Sequence, residues 1–81
     1  PSTTVSWHSP IEGNVNIKIY DVLGNLVCEV INEHKSAGKN QIEFNAISQE
    51  KNIASGVYIY QIEISSDDFH HTMIKKMTLL K

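Results

Sequence analysis

Asn14-Val15-Asn16-Ile17-Lys18-Ile19-Tyr20 alternates polar and apolar side chains, with Val15, Ile17 and Ile19 set against Asn14, Asn16 and Lys18. A period of two is what a β-strand with one buried face requires, because successive side chains leave opposite faces of the pleat. The rhythm returns in Gln41-Ile42-Glu43-Phe44-Asn45. It runs longest in residues 57–64, where Tyr58, Tyr60, Ile62 and Ile64 oppose Val57, Ile59, Gln61 and Glu63. Alternation of this kind belongs to antiparallel sheets with one wet face, not to parallel sheets buried on both. No segment carries a sustained 3.6-residue stripe, and β-branched residues crowd the apolar runs. A short turn at residues 47–51 is the one place a helix is considered.

Working outward, the punctuation divides the chain into about seven strands. The first spans residues 3–8 and stops at Pro10, and a turn at residues 10–13 combines a fixed φ at Pro10 with a free one at Gly13. After the strand at residues 14–20, Asp21-Val22-Leu23-Gly24-Asn25 reads as a tight hairpin loop, Asp21 capping its own backbone and Gly24 taking positive φ. The next strand, residues 26–31, is apolar on both faces: Leu26, Cys28 and Val30 on one, Val27 and Ile31 on the other. Its buried face stays open, and a bulge or a twisted edge would account for the pattern. A polar loop at residues 32–39 contains Gly38, a strand follows at 40–45, and the long connection 46–56 suits a crossover between two sheets. The last two strands, residues 57–64 and 72–80, flank a polar loop at 65–71. The expectation is an all-β fold, an immunoglobulin-like antiparallel β-sandwich, in one domain over residues 1–81.

With 81 residues there is room for one core. Hydrophobic residues at 41% and charged residues at 20% exclude a disordered chain. A net charge of −2 offers no basic face for displacing counterions from phosphate, so nucleic acid is not expected as a partner. Cys28 is the sole cysteine, which rules out an internal disulfide or a thiolate cluster and leaves packing to hold the domain. The chain has no initiating Met and no apolar run long enough to span a membrane, and Pro1 reads as a boundary within a longer chain.

The residues do not assemble a reaction centre, and no enzyme activity or cofactor is expected. His8, His34, His70 and His71 have no Cys, Asp or Glu spaced to complete a metal site, and His70 and His71 would point apart on a regular strand. They read as solvated loop histidines. Asp67-Asp68 lacks the alternating oxygens and terminal Glu of a calcium loop and reads as a polar hairpin tip. Glu29, Glu43 and Glu63 fall on outward strand positions instead of flanking a cleft. Trp7, Tyr58 and Tyr60 could present rings to a sugar, but core packing accounts for them as well. Tyr58, placed just after Gly56, could also close a corner hydrogen bond of the immunoglobulin type. Lys75-Lys76-Met77-Thr78-Leu79-Leu80-Lys81 reads as a final edge strand with Met77 and Leu79 packed and its lysines in water.

Taken in order, several segments resemble one family. Residues 17–27, with Ile19-Tyr20-Asp21 leading to Gly24 and Val27, are similar to the signature hairpin of the type IX secretion C-terminal sorting domain. Pro1-Ser2-Thr3-Thr4 resembles the end of that family's opening motif, and Ser36-Ala37-Gly38 its small-residue turn. Ala54-Ser55-Gly56-Val57-Tyr58 resembles its later strand start, and Lys75-Lys76-Met77 with Lys81 its terminal segment. The family is related in fold to an immunoglobulin-like domain of the flagellar hook-cap protein.

The resemblance implies a sorting signal, not a catalyst. It implies an N-terminal cargo domain on the same chain, an outer-membrane type IX translocon as recognition partner and a sortase-like protease that removes the domain. It further implies passage through the periplasm to the cell surface or medium. On this reading the translocon would contact Lys75, Lys76, Met77 and Lys81 with Asp21 and Gly24, while Tyr20, Gly38, Gly56 and Tyr58 maintain the fold. The alternative is a structural or carbohydrate-binding accessory module of a secreted enzyme, which predicts that the chain continues past Lys81 or that Trp7 is exposed beside other aromatics. A hook-cap scaffold domain is a third reading.

Overall fold

The computed structural model describes residues 2–45 and 54–79, and every regular element in them is a strand. The strands are β1 (Ser2–Ser9), β2 (Gly13–Tyr20), β3 (Leu26–Lys35), β4 (Gly38–Asn45), β5 (Gly56–Ser66) and β6 (Phe69–Leu79). They form two antiparallel sheets, one of order β1-β4 and one of order β3-β2-β5-β6.

The alternating stretch that opens β2 lies at the centre. Antiparallel partners directly opposite one another share a face, and β2 faces β5 through Val15–Ile64, Ile17–Ile62 and Ile19–Tyr60. From the other sheet Val5 and Trp7 of β1 close over Val15, Ile17, Ile62 and Ile64, while Phe44 of β4 packs with Ile19, Tyr58 and Leu79. Each fully buried aliphatic or aromatic side chain contributes about 1.5–3 kcal/mol through removal from water. Ser9, the buried polar side chain among the described residues, accepts a hydrogen bond from Trp7 Nε1 at 2.9 Å, so the indole N–H is satisfied inside the core.

The two-faced pattern of residues 26–31 has a backbone cause. The ladder between β2 and β3 shifts register between Ile17 and Lys18 and again between Ile19 and Tyr20, so that Val30 and Val27 are left unmatched on β3. Two bulges twist this edge strand and turn apolar side chains from both of its faces toward the core. Val27, Cys28 and Val30 accordingly pack against the Phe44 cluster.

There are six strands among the described residues, not about seven. The loop expected at residues 32–39 is mostly strand: β3 continues through Lys35, with Asn32 opposite Asn16 and His34 opposite Asn14, and Ser36 and Ala37 alone separate it from β4. The loop expected at 65–71 is likewise a two-residue turn at Asp67 and Asp68 between long hairpin arms. Polar residues on an edge strand's solvent face have the composition of a loop, and this conceals the strand. His34, His70 and His71 therefore stand on strands. His34 Nε2 lies 2.7 Å from Glu12, His70 Nε2 lies 3.4 Å from Glu63, and His71 stacks on Phe69. The connection after β4 does link one sheet to the other, while the turn considered at 47–51 lies outside the described residues.

Among the four glycines, Gly13 lies closest against neighbouring backbone. A Cβ at this position would sit 2.4 Å from the Ser65 carbonyl oxygen, so β2 can enter the sheet here only without a side chain.

Candidate functional site

The loop between β2 and β3 is braced by hydrogen bonds of its own. Asp21 Oδ1 accepts hydrogen bonds from the backbone N–H groups of Leu23 and Asn25, both at 2.9 Å, and Oδ2 accepts from Asn25 Nδ2 at 3.3 Å. The Asp21 N–H donates to the Asn25 carbonyl and the Gly24 N–H to the Asp21 carbonyl, each at 3.0 Å. Gly24 adopts φ 88°, which a Cβ would oppose. The Asn25 backbone N–H foremost holds the Asp21 carboxyl below its usual 3.8, with the Asn25 side chain and the Leu23 and Gly24 amides assisting. This self-bonded turn displays two apolar side chains in water, Val22 at 66% and Leu23 at 83% exposure.

From the foot of that turn a row of side chains runs across the outer face of the larger sheet. Leu26 pairs with Tyr20, Tyr20 with Ile59, and Ile59 with Lys76, so one residue from each of β3, β2, β5 and β6 lies in line. Leu26 is exposed, and Tyr20 and Ile59 are half-buried. Ile74, on the same face of β6, is 68% exposed. The fold thus joins the hairpin and Lys76 into one surface with an apolar middle and a cationic end.

Lys75 and Met77 leave β6 on the opposite, core-side face. Met77 lies opposite Tyr58 and packs against its cluster, and Lys75 lies opposite Tyr60 at the margin of the core. The six residues considered for recognition are therefore divided: Asp21, Gly24 and Lys76 share one surface, Lys75 and Met77 turn away from it, and Lys81 lies outside the described residues. Leu26, Ile59 and Ile74 were not singled out from the sequence. The available signal was the apolar second face of β5, where Val57 and Ile59 alternate with the core tyrosines.

The remaining motif positions lie at strand beginnings. Gly38 opens β4 at φ 102°, Gly56 opens β5, and the Tyr58 hydroxyl donates to the Ala54 carbonyl at 2.6 Å. Burial raises the Tyr60 phenol above its usual 10.0. Trp7 is buried at 5% exposure and offers no exposed ring to a sugar. Among the described residues no three His, Cys, Asp or Glu side chains are grouped to hold a metal ion.

A family model described as the secretion system C-terminal sorting domain matches residues 2–76. No curated protein matches the sequence. Among solved structures, FlgD from P. aeruginosa is similar with a TM-score of 0.80 at 21% identity, over 96% of this chain and 61% of that one. At that identity the likeness is one of fold.

Proposed function

The chain belongs to the secretion system C-terminal sorting domain family, and from that membership we propose that it directs a cargo domain of the same chain across the outer membrane through the type IX secretion system. The observation that carries the reading is the family match over residues 2–76, which takes in every described strand but the end of β6. The partners on this reading are the outer-membrane translocon and a sortase-like protease. The cargo passes through the periplasm to the cell surface or the medium. Recognition of a folded surface needs no catalytic group, and the proposal assigns none to the chain.

The surface best suited to recognition is the one built from the β2–β3 turn and the row ending at Lys76. Its turn is braced by its own hydrogen bonds, which lowers the entropy cost of docking it, and the surface offers apolar anchors beside a charge. The further contributions proposed for Lys75 and Met77 come from the other face of β6, and Lys81 lies outside the described residues.

The test is export of a periplasm-targeted fluorescent protein fused ahead of residues 1–81, in a host with an intact type IX system and in a translocon-null strain. Surface or released fluorescence in the intact host alone is the expected result. An intact, folded fusion held in the periplasm of both strains would overturn the proposal. Leu23→Ala combined with Lys76→Ala tests the surface itself: export should fall while the domain stays folded, and undiminished export would place recognition elsewhere.

A further inference from the structure

We propose that a depression on the smaller sheet, bounded by Lys39 and Lys75, binds a small oxyanionic group of the phosphate class. The depression encloses about 540 Å³, within the ordinary size range of small-ligand sites. Ser6 and His8 of β1 face Gln41 and Lys39 of β4 in the ladder, and Lys75 reaches the same space from β6 of the other sheet. Its rim is thus assembled from three strands and both sheets.

The electrostatics of this lining point to an anion. The chain as a whole is net negative, yet no Asp or Glu lines the depression among the described residues. Lys35, elsewhere, is neutralised by Glu33 at 2.9 Å. Lys39 and Lys75 have no hydrogen bond or ion pair among the described residues, although both face one shared space. Two like charges lining one space without a counterion repel each other, and an anion between them would convert that repulsion into two attractions. Lysine ammonium groups bind phosphate as point charges, and the Ser6 hydroxyl and Gln41 amide beside them can donate directional hydrogen bonds to further oxygens. The role is separate from sorting and does not rest on it.

An amide chemical-shift titration of the 81-residue chain with inorganic phosphate and with glycerol phosphate tests the site. Saturable shifts should concentrate at residues 6–8, 39–41 and 75. Removal of one charge about 4 Å from the anion should weaken binding by roughly fivefold, in Lys39→Gln and Lys75→Gln alike. Lys18→Gln, on the outer face of the larger sheet, should leave the affinity unchanged. Both lining lysines are exposed, and a dispersed amide spectrum establishes that each variant is folded. Absence of saturation, or equal weakening by Lys18→Gln, overturns the proposal. Vesicles of phosphatidylcholine with and without phosphatidic acid identify the source. Cosedimentation with the acidic vesicles, lost in Lys39→Gln, supports a lipid phosphate; saturation by glycerol phosphate with no vesicle binding supports a soluble one.

Discussion

Gly13→Ala isolates a steric cost at the point where β2 meets β5. The added Cβ would lie 2.4 Å from the Ser65 carbonyl oxygen and 3.1 Å from its carbonyl carbon. The first is well inside van der Waals contact, and the obstacle is backbone in a paired strand, which cannot rotate aside as a side chain can. Gly13 is not among the positive-φ glycines, so its own backbone would accept alanine. Overpacking of this kind costs about 1–3 kcal/mol, and the lower unfolded-state entropy of alanine returns roughly 0.4–1 kcal/mol. A net loss of about 1–2 kcal/mol is a large share of the ~4–12 kcal/mol that a domain of this size possesses. Urea denaturation should show a midpoint lower by about 1–2 M with an unchanged slope, taking a slope near ~1 kcal/mol/M. Gly24→Ala is the companion: nothing lies within 4 Å of its added Cβ, and its φ of 88° alone opposes the change. An unmoved midpoint for Gly13→Ala would refute the reasoning, because the Ser65 carbonyl would then be free to give way.

Two further expectations concern polar contacts. Tyr58→Phe removes the 2.6 Å hydrogen bond to the Ala54 carbonyl, and should cost about 0.5–1.5 kcal/mol, read as a melting temperature several degrees lower; an unchanged melting temperature would show the bond to be idle. Asp21 has its pKa lowered in the folded turn, so its carboxylate stabilises the turn above the ordinary 3.8 and that stabilisation disappears as pH falls through the lower folded value. The Leu23 and Asn25 amide protons should therefore titrate together with an apparent pKa below 3.8, whereas independent or absent titration would separate them from the Asp21 carboxylate.

The strands that form the core were legible because one face of each is dry. Val15, Ile17 and Ile19 announce β2, and Tyr58 through Ile64 announce β5, by the same alternation that the paired register then places face to face. The bulged edge was legible too, since a strand that is apolar on both sides, as at 26–31, must twist or bulge to turn both sets of side chains inward. Sequence pattern failed where a strand borders water. The distal half of β3 and the arms of the last hairpin are held by ladders whose partners are remote or whose side chains are polar, and neither leaves a periodic trace. The candidate recognition surface was legible only in part. The Asp21 turn is a local arrangement encoded within the stretch from Asp21 to Asn25, but the line from Leu26 to Lys76 draws on β3, β2, β5 and β6 and exists only once their registers are set. The Lys39–Lys75 depression had no local signal for the same reason.

The pairing of β1 with β4 has a consequence for the order in which the domain can form. Ser2 lies against Asn45 and Ser9 against Gly38, with two complete strands between the partners along the chain. The β2–β3 and β5–β6 hairpins close over short turns and can form early, whereas β1 has no partner until β4 has arrived. Closing so long a loop costs entropy before any contact compensates for it, and sandwiches dominated by such pairings fold in milliseconds to seconds. Until then Val5 and Trp7 stay in water and the faces of Ile17 and Ile62 remain uncovered. Together with the still longer-range pairing of β2 with β5, this sets an interval after synthesis during which the chain is still pliable and sticky, and any machinery that handles it must either arrive within that interval or wait for it to end.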